Sequence, residues 1–172
     1  YLQQIAQSQA LKIQSELSYA RDVAHNLGHS MIALPAAGIT ERATANKLME
    51  YALRDNPDYL SMSVTFEENA FDGRDAEIAQ QPDSPPKGRH AYFVDRDQSG
   101  NYKVHPMMSI FTPGQGDYYL IPQKTQKDTL TEPYSYPYNG VPTLLTSVSA
   151  PILSDGKLRA VVTSDISLAS LQ

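Results

Sequence analysis

The feature that most constrains this chain is a run of apolar residues whose spacing alternates between four and three. Ala6, Ala10, Ile13, Leu17, Ala20, Ala24, Leu27, Met31 and Leu34 follow the period of about 3.5 residues that marks a coiled-coil seam. Pro35 interrupts the pattern, so one helix is predicted over residues 1–34. At a rise of 1.5 Å per residue it would be ~50 Å long, more than a small domain needs to cover its own core. Some of the seam fits a helix lying along its own sheet, with alanines permitting close approach. The excess length predicts that part of it also pairs weakly, in parallel, with a second copy of the chain. The chain divides accordingly into a helical stalk, 1–34, and a folded module, 35–172.

A second helix is predicted after the Pro35-Ala36-Ala37-Gly38 break, with Thr40 as N-cap, Glu41 in the first turn and an apolar stripe of Leu48, Tyr51 and Ala52. Asn56-Pro57 ends it. From Tyr59 the period changes to two: Leu60, Met62, Val64 and Phe66 alternate with Ser61, Ser63 and Thr65, the signature of a half-buried strand. Three turn signals follow, Ser99-Gly100-Asn101, Asn139-Gly140 and Asp155-Gly156. Each lies between β-prone runs and so predicts a hairpin. The predicted strands lie near 90–95, 102–105, 129–138, 143–153 and 158–166. Two long connections remain, Glu67–Lys87 with Pro82, Pro85 and Pro86, and Met107–Lys127 with Gly114, Gly116 and the pair Tyr118-Tyr119. Loops of that length on a small module are usually functional.

Composition removes several classes of function. Lys and Arg number 14 against 19 Asp and Glu, a net charge of -5, which argues against nucleic acid as a partner. The absence of cysteine excludes disulfides and thiolate metal sites. No apolar run reaches the roughly 18 residues that span a bilayer. Tyr1 is not a start methionine, and Ser170-Leu171-Gln172 ends without a cap, so the sequence reads as part of a longer chain.

Motifs for catalysis or metal binding are wanting. His25 and His29 share a helical face, but Asn26 stands where a metalloprotease helix has Glu, and no third ligand is visible. Asp95-Arg96-Asp97-Gln98-Ser99-Gly100 begins like a calcium loop, yet its twelfth position is Pro106, so a polar hairpin turn is preferred. Asn69 to Asp75 reads as an Asx-type turn held by an Arg–Asp pair. No nucleophile elbow, P-loop or dinucleotide fingerprint occurs, and neither enzyme activity, a metal nor a cofactor is expected.

Tyrosine does accumulate. Tyr118, Tyr119, Tyr134, Tyr136 and Tyr138 fall close together in sequence, near Asp117, Glu132 and the more distant Asp165. Alternate residues of a strand share a face, so Tyr134, Tyr136 and Tyr138 are predicted to point one way, with Tyr118 and Tyr119 closing over them. Such a box suits a small polar or cationic ligand. Amphipathic packing with hydroxyls in solvent would use the same residues.

The long helix, the aromatic pair, Thr131-Glu132-Pro133-Tyr134, Ser149-Ala150-Pro151-Ile152, Asp155-Gly156-Lys157 and Val161-Val162-Thr163-Ser164-Asp165-Ile166-Ser167-Leu168 together resemble the Cache sensor domain. The likeness is to the membrane-distal module of double-Cache chemotaxis receptors and sensor kinases. It implies an α+β fold: a PAS-like antiparallel sheet carried on a long N-terminal helix. It also implies an extracytoplasmic, periplasmic sensor of a small molecule, anchored by flanking membrane segments, working as a homodimer and signalling across the membrane to a chemotaxis module. A histidine kinase or cyclic-dinucleotide output is the alternative, and a periplasmic enzyme a more distant one. Within the resemblance, amino-acid-binding members place an Arg before the aromatic pair, a Tyr-x-Asp on the next strand and an ammonium-binding Asp on the last. Here these fall on Gly116, Tyr134 with Tyr136, and Asp165. The implied ligand site is Phe93, Tyr118, Tyr119, Tyr134, Tyr136 and Asp165, with the carboxylate-binding Arg replaced, unless Arg74, Arg89 or Arg96 supplies it. An amine-containing ligand is therefore expected.

Overall fold

The computed structural model describes residues 2–171. Helix α1 (Leu2–Ala36) carries the predicted seam but runs two residues past the predicted stop, with Pro35 inside its last turn. Gly38, at φ +78°, then closes it: Ile39 N–H donates to Leu34 O and Gly38 N–H to Pro35 O, a Schellman pattern that satisfies the last carbonyls. Tyr1 lies outside the described residues. Helix α2 spans Arg42–Arg54, with Glu41 rather than Thr40 at its N-cap and no side-chain cap bond. Its inward stripe is Ala45, Met49 and Leu53, flanked by Leu48 and Ala52, whereas Tyr51 is exposed. Arg54 lies over the Tyr51 ring, which gives that aromatic a surface partner.

Seven strands form one antiparallel sheet: β1 (Tyr59–Phe66), β2 (Ala91–Arg96), β3 (Tyr102–Pro106), β4 (Thr129–Leu130), β5 (Tyr134–Tyr138), β6 (Val141–Ser154) and β7 (Lys157–Ser167). The order is β3-β2-β1-β7-β6-β4, with β5 also paired to β6. All three predicted hairpins form, and the one run predicted over 129–138 is two strands divided at Thr131–Pro133. Asn139-Gly140 and Asp155-Gly156 both have positive φ at each position, as a tight two-residue turn requires.

One face of the sheet is hydrocarbon. Met62, Val64 and Phe66 of β1, Val94 of β2, Val148, Ala150 and Ile152 of β6 and Val162 of β7 meet Ala20, Ala24, Leu27 and Met31 of α1 and the stripe of α2 in one buried cluster. A Cβ on Gly28 would fall 2.3 Å from Ile152, so the absent side chain sets how closely α1 approaches β6. The seam thus divides. Its second half is spent on the chain's own sheet, and only its first half stays open: Ala6 and Ala10 are exposed, Ile13 and Leu17 partly so.

The other face is also covered. β1 is buried almost throughout rather than half-buried, because residues predicted as a long loop contain a helix, α4 (Asp117–Thr125), which packs on β6 and β7. The other long connection folds back through a single-turn helix, α3 (Asp75–Ile78), and a 3-10 turn, Pro86–Gly88. The predicted Asx turn forms, with Asn69 Oδ1 and Asp75 Oδ2 each accepting the other residue's N–H. The arginine that holds it is Arg42 of α2, not Arg74: it pairs with Asp72 at 2.7 Å and Asp75 at 3.0 Å and donates to the carbonyls of Gly88 and Arg89.

Beside this clasp lies His90, fully enclosed by Phe66, Phe71 and Tyr92 with neither ring nitrogen hydrogen-bonded. Burial, and then Arg42, push its imidazole down from 6.5 to about 3, so it is neutral in the fold. The unfolded chain takes up this proton near 6.5, whereas the folded chain refuses it until about 3. The contribution of His90 is present above 6.5 and declines as pH falls, by at most ~1.4 kcal/mol per pH unit. Urea unfolding at a series of pH values between 7 and 5 should show this decline, and His90→Phe should remove it; an unaltered slope in the variant would place the acid sensitivity elsewhere.

Candidate functional site

The covered polar face is where the predicted site residues meet. Register places Ser61 of β1 opposite Asp165 of β7, and Asp165 opposite Ser147 of β6, so the three share one rung. Ser61 Oγ donates to Asp165 Oδ2 and Ser147 Oγ to Oδ1, both at 2.6 Å. Because the single proton of Ser147 is committed to the carboxylate, Tyr134 must be the donor in its 2.8 Å contact with Ser147 Oγ. A chain therefore runs from the Tyr134 hydroxyl through Ser147 to Asp165. The next rung repeats the hydroxyl pattern, with Ser149 Oγ 2.8 Å from Thr163 Oγ1.

Asp165 is partly accessible but stripped of most of its water, and among the described residues it forms no ion pair. Burial pushes its carboxyl above the ordinary aspartate range, and the two serine hydrogen bonds only partly offset this. Tyr118 of α4 and Tyr134 of β5 sit close enough to feel that charge. Both phenols are raised by burial and then by Asp165, with Tyr136 adding to each, so Tyr118 and Tyr134 flank the carboxylate and Tyr136 borders them. Tyr134 and Tyr136 are nevertheless 37% and 49% exposed and form the open side of the site. Phe93 packs in one cluster with Tyr118 and lies over His105, ring centroids 4.8 Å apart.

Tyr119 separates from this group. Neighbouring helical residues point about 100° apart, and Tyr119 is buried among Ala91, Met107, Ile110 and Val161, its hydroxyl donating to Glu67 Oε1 at 2.6 Å. Glu67 follows the far end of β1, six positions from Ser61. Tyr119 thus pins α4 to the sheet, while Tyr118 faces Asp165. The expectation that both would wall the pocket held a flexible loop in view; a helix cannot direct both the same way. Asp165 is also no helix cap, since β7 continues to Ser167 and only a 3-10 turn, Leu168–Leu171, follows.

None of the three candidate arginines stands beside Asp165. Arg74 is exposed and paired with Glu77. Arg96 lies on the helix-covered face, donating to Tyr59 O and stacking on Tyr102. Arg89 is buried near Asp75 and Phe111 and donates to Phe66 O, about 20 Å along β2 from the Asp165 rung at 3.3 Å per residue. Position 116 cannot host one either. A Cβ on Gly116 would fall 2.5 Å from Ser109 O and 2.7 Å from Ile110 O, so any side chain there would displace the start of α4.

Ser61 and Ser147 were not singled out from sequence. Their signal was the matching alternation of hydroxyl residues in three strands, Ser61-x-Ser63-x-Thr65, Ser147-x-Ser149 and Thr163-x-Asp165. In a central sheet this indicates a polar interior rather than solvent. Chemically, the arrangement offers a negative, hydrogen-bonded floor and aromatic walls, a combination suited to a cation. Asp165→Asn keeps the shape and removes an unpaired buried charge. It should change the unfolding free energy of the ligand-free protein by less than about 1 kcal/mol at pH 7, as chemical denaturation would show; a loss of several kcal/mol would make Asp165 a structural anchor.

Comparison with known proteins identifies the family and agrees with the fold. Residues 45–172 match the family described as methyl-accepting chemotaxis protein-like, first PDC sensor domain. The methyl-accepting chemotaxis protein TlpQ of Pseudomonas aeruginosa is 29% identical over 142 residues, 76% of this chain and 20% of that protein, so the chain spans about a fifth of its curated relative. Among solved structures, the extracellular domain described as that of a histidine kinase, mmHK1S-Z3, superimposes with a TM-score of 0.78 at 29% identity, covering 99% of this chain and 60% of that one. Methyl-accepting chemotaxis protein X does so with a TM-score of 0.70 at 26% identity, over 99% and 61%. The ligand-binding domain of the amino acid chemoreceptor PctB of P. aeruginosa, in complex with L-Gln, shares the fold at 19% identity, with a TM-score of 0.60 over 99% and 56%. The chain belongs to the family of first PDC sensor domains of methyl-accepting chemotaxis protein-like receptors.

Proposed function

We propose that this domain is the periplasmic sensor of a bacterial chemoreceptor and that its ligand is a small amine or another nitrogen-centred cation. The observation that carries the reading is Asp165: a desolvated carboxylate with two hydroxyl donors, aromatic rings beside it and no cationic partner among the described residues. A bound ammonium would complete it, with roughly 1.5–3 kcal/mol from the charge-assisted hydrogen bond and 0.5–2 from each cation–π contact. PctB holds L-Gln in its structure, and the Campylobacter jejuni chemoreceptor Tlp3 holds isoleucine. For an α-amino acid, this pocket lacks a cationic partner for the carboxylate near Asp165, and leaving that group buried and unpaired is costly. Histidine kinase sensor domains share the fold, so a kinase output is the second reading of the full receptor; the coding sequence downstream distinguishes the two.

Titration calorimetry with simple amines, carboxylates and the standard amino acids tests the ligand. An amine should bind, and Asp165→Asn should weaken it by roughly 10- to 150-fold. Acidification should weaken it as well, because the pocket binds the cation only with Asp165 ionised and its proton returns at a higher pH than for an ordinary aspartate. Micromolar binding of a carboxylate without an amine would overturn the reading.

The receptor is also proposed to pair through the open half of α1. Leu2, Ile5 and Leu11 are exposed there, beside a groove lined by Ala10, Ile13, Gln14, Leu17, Ser18 and Arg21. No helix among the described residues is long and apolar enough to cross a membrane, and membrane anchorage is assigned to flanking segments. Single cysteines at Ala6 and Ala10 should crosslink in the full-length receptor. Leu27 is buried against the sheet, so a charge there would unfold the domain rather than report on pairing.

A further inference from the structure

Asp165 shares its rung with a second carboxylate. Ser61 is in register with Asp165 on one side and with Asp95 of β2 on the other, so Asp95, Ser61, Asp165 and Ser147 stand abreast across four adjacent strands on the polar face. Two inter-strand spacings separate the aspartate Cα atoms by about 9.5 Å. The Asp95 side chain is only 20% exposed. Its Oδ1 accepts Nε2–H of His105 at 2.9 Å, and its Oδ2 accepts no hydrogen bond among the described residues. Lys103, its register partner, forms no ion pair with it among the described residues, and Arg96 lies on the opposite face. The wall around Asp95 is continuous with the pocket. His105 lies on Phe93, which packs in one cluster with Tyr118. The β5–β6 hairpin reaches across to Arg96 O through the Tyr138 hydroxyl at 3.1 Å and Asn139 Nδ2 at 3.0 Å.

Resting on the amine reading above, we infer that Asp95 is the second anchor of this pocket and that the ligand class is an α,ω-diamine. One ammonium sits on Asp165 and the other on Asp95 Oδ2, with the methylene chain along Phe93 and Tyr118. Ammonium groups within ~2.8 Å of each carboxylate fit a chain of roughly four to six methylenes. The competing account is a cross-strand Asp95–His105 pair that only stabilises the edge hairpin. It predicts no preference for a second amine.

Calorimetry with 1-aminopentane and the 1,4- to 1,6-diaminoalkanes, on the wild type, Asp95→Asn and Asp95→Glu, separates these. The best diamine should bind at least tenfold more tightly than the monoamine. Asp95→Asn should abolish that advantage while leaving the monoamine affinity within about twofold. Asp95→Glu should retain the advantage but move the optimum to a diamine one methylene shorter, a readout that a merely unfolded variant cannot give. Equal wild-type affinity for mono- and diamine, or a diamine advantage that survives Asp95→Asn, overturns the second anchor alone. Absence of binding by every amine overturns both it and the amine reading.

Discussion

Strand β1 is buried on both faces, with side chains of opposite character on each, and the rest of the architecture answers to that. Met62, Val64 and Phe66 require hydrocarbon, which α1 and α2 supply. Ser61, Ser63 and Thr65 leave hydroxyls beneath α4, and buried hydroxyls need partners. Neighbouring strands provide two such pairings in register: Ser61 with Asp165, and Ser149 with Thr163 on the next rung. A polar layer inside a small domain is then tolerable only where its members satisfy one another. The carboxylate of Asp165 accepts two hydroxyls and forms no ion pair among the described residues, so it keeps acceptor capacity that a ligand can use.

Much of the fold was legible because its signals are local. The change of period at Tyr59, the three turn dipeptides and the 3.5-residue seam each report on a few neighbouring residues, and each element formed. What was not legible depends on what an element packs against. The seam continues unchanged from Ala6 to Leu34, yet it serves two surfaces, and only the sheet shows where one gives way to the other. Residues 117–125 contain Pro122 and two adjacent tyrosines and carry little helical pattern; their helix is held by Tyr119 packing on the sheet and bonding Glu67. The candidate site followed the same division. Asp165 and Tyr134 lie at the strand positions expected of them and Tyr118 approaches from α4, whereas Tyr119 and the serines that hold Asp165 depended on helix geometry and register.

Glycine at position 116 answers to the backbone around it. The α4 backbone turns there against the carbonyls of Ser109 and Ile110, closer than a side chain permits. An arginine at this position would displace the start of α4, so one substitution could not place a cation there without remodelling the helix. The nearby basic residues are committed as well: Arg89 to Phe66 O and the acidic clasp, Arg96 to backbone carbonyls behind the sheet. The lack of a side chain at position 116 is therefore built into the path of the main chain.

Gly28 gives α1 a mechanical asymmetry. The helix approaches the sheet closely at that point, against Ile152 and Val162, stays buried on that side as far as Ala20 and is open toward its start. From Gly28 to Leu2 it extends about 39 Å. A rotation of one degree about that fulcrum displaces the free end by about 0.7 Å. With that ratio of arm to contact, adjustments too small to disturb core packing at the sheet would become displacements comparable to half a bond length at the open end of α1.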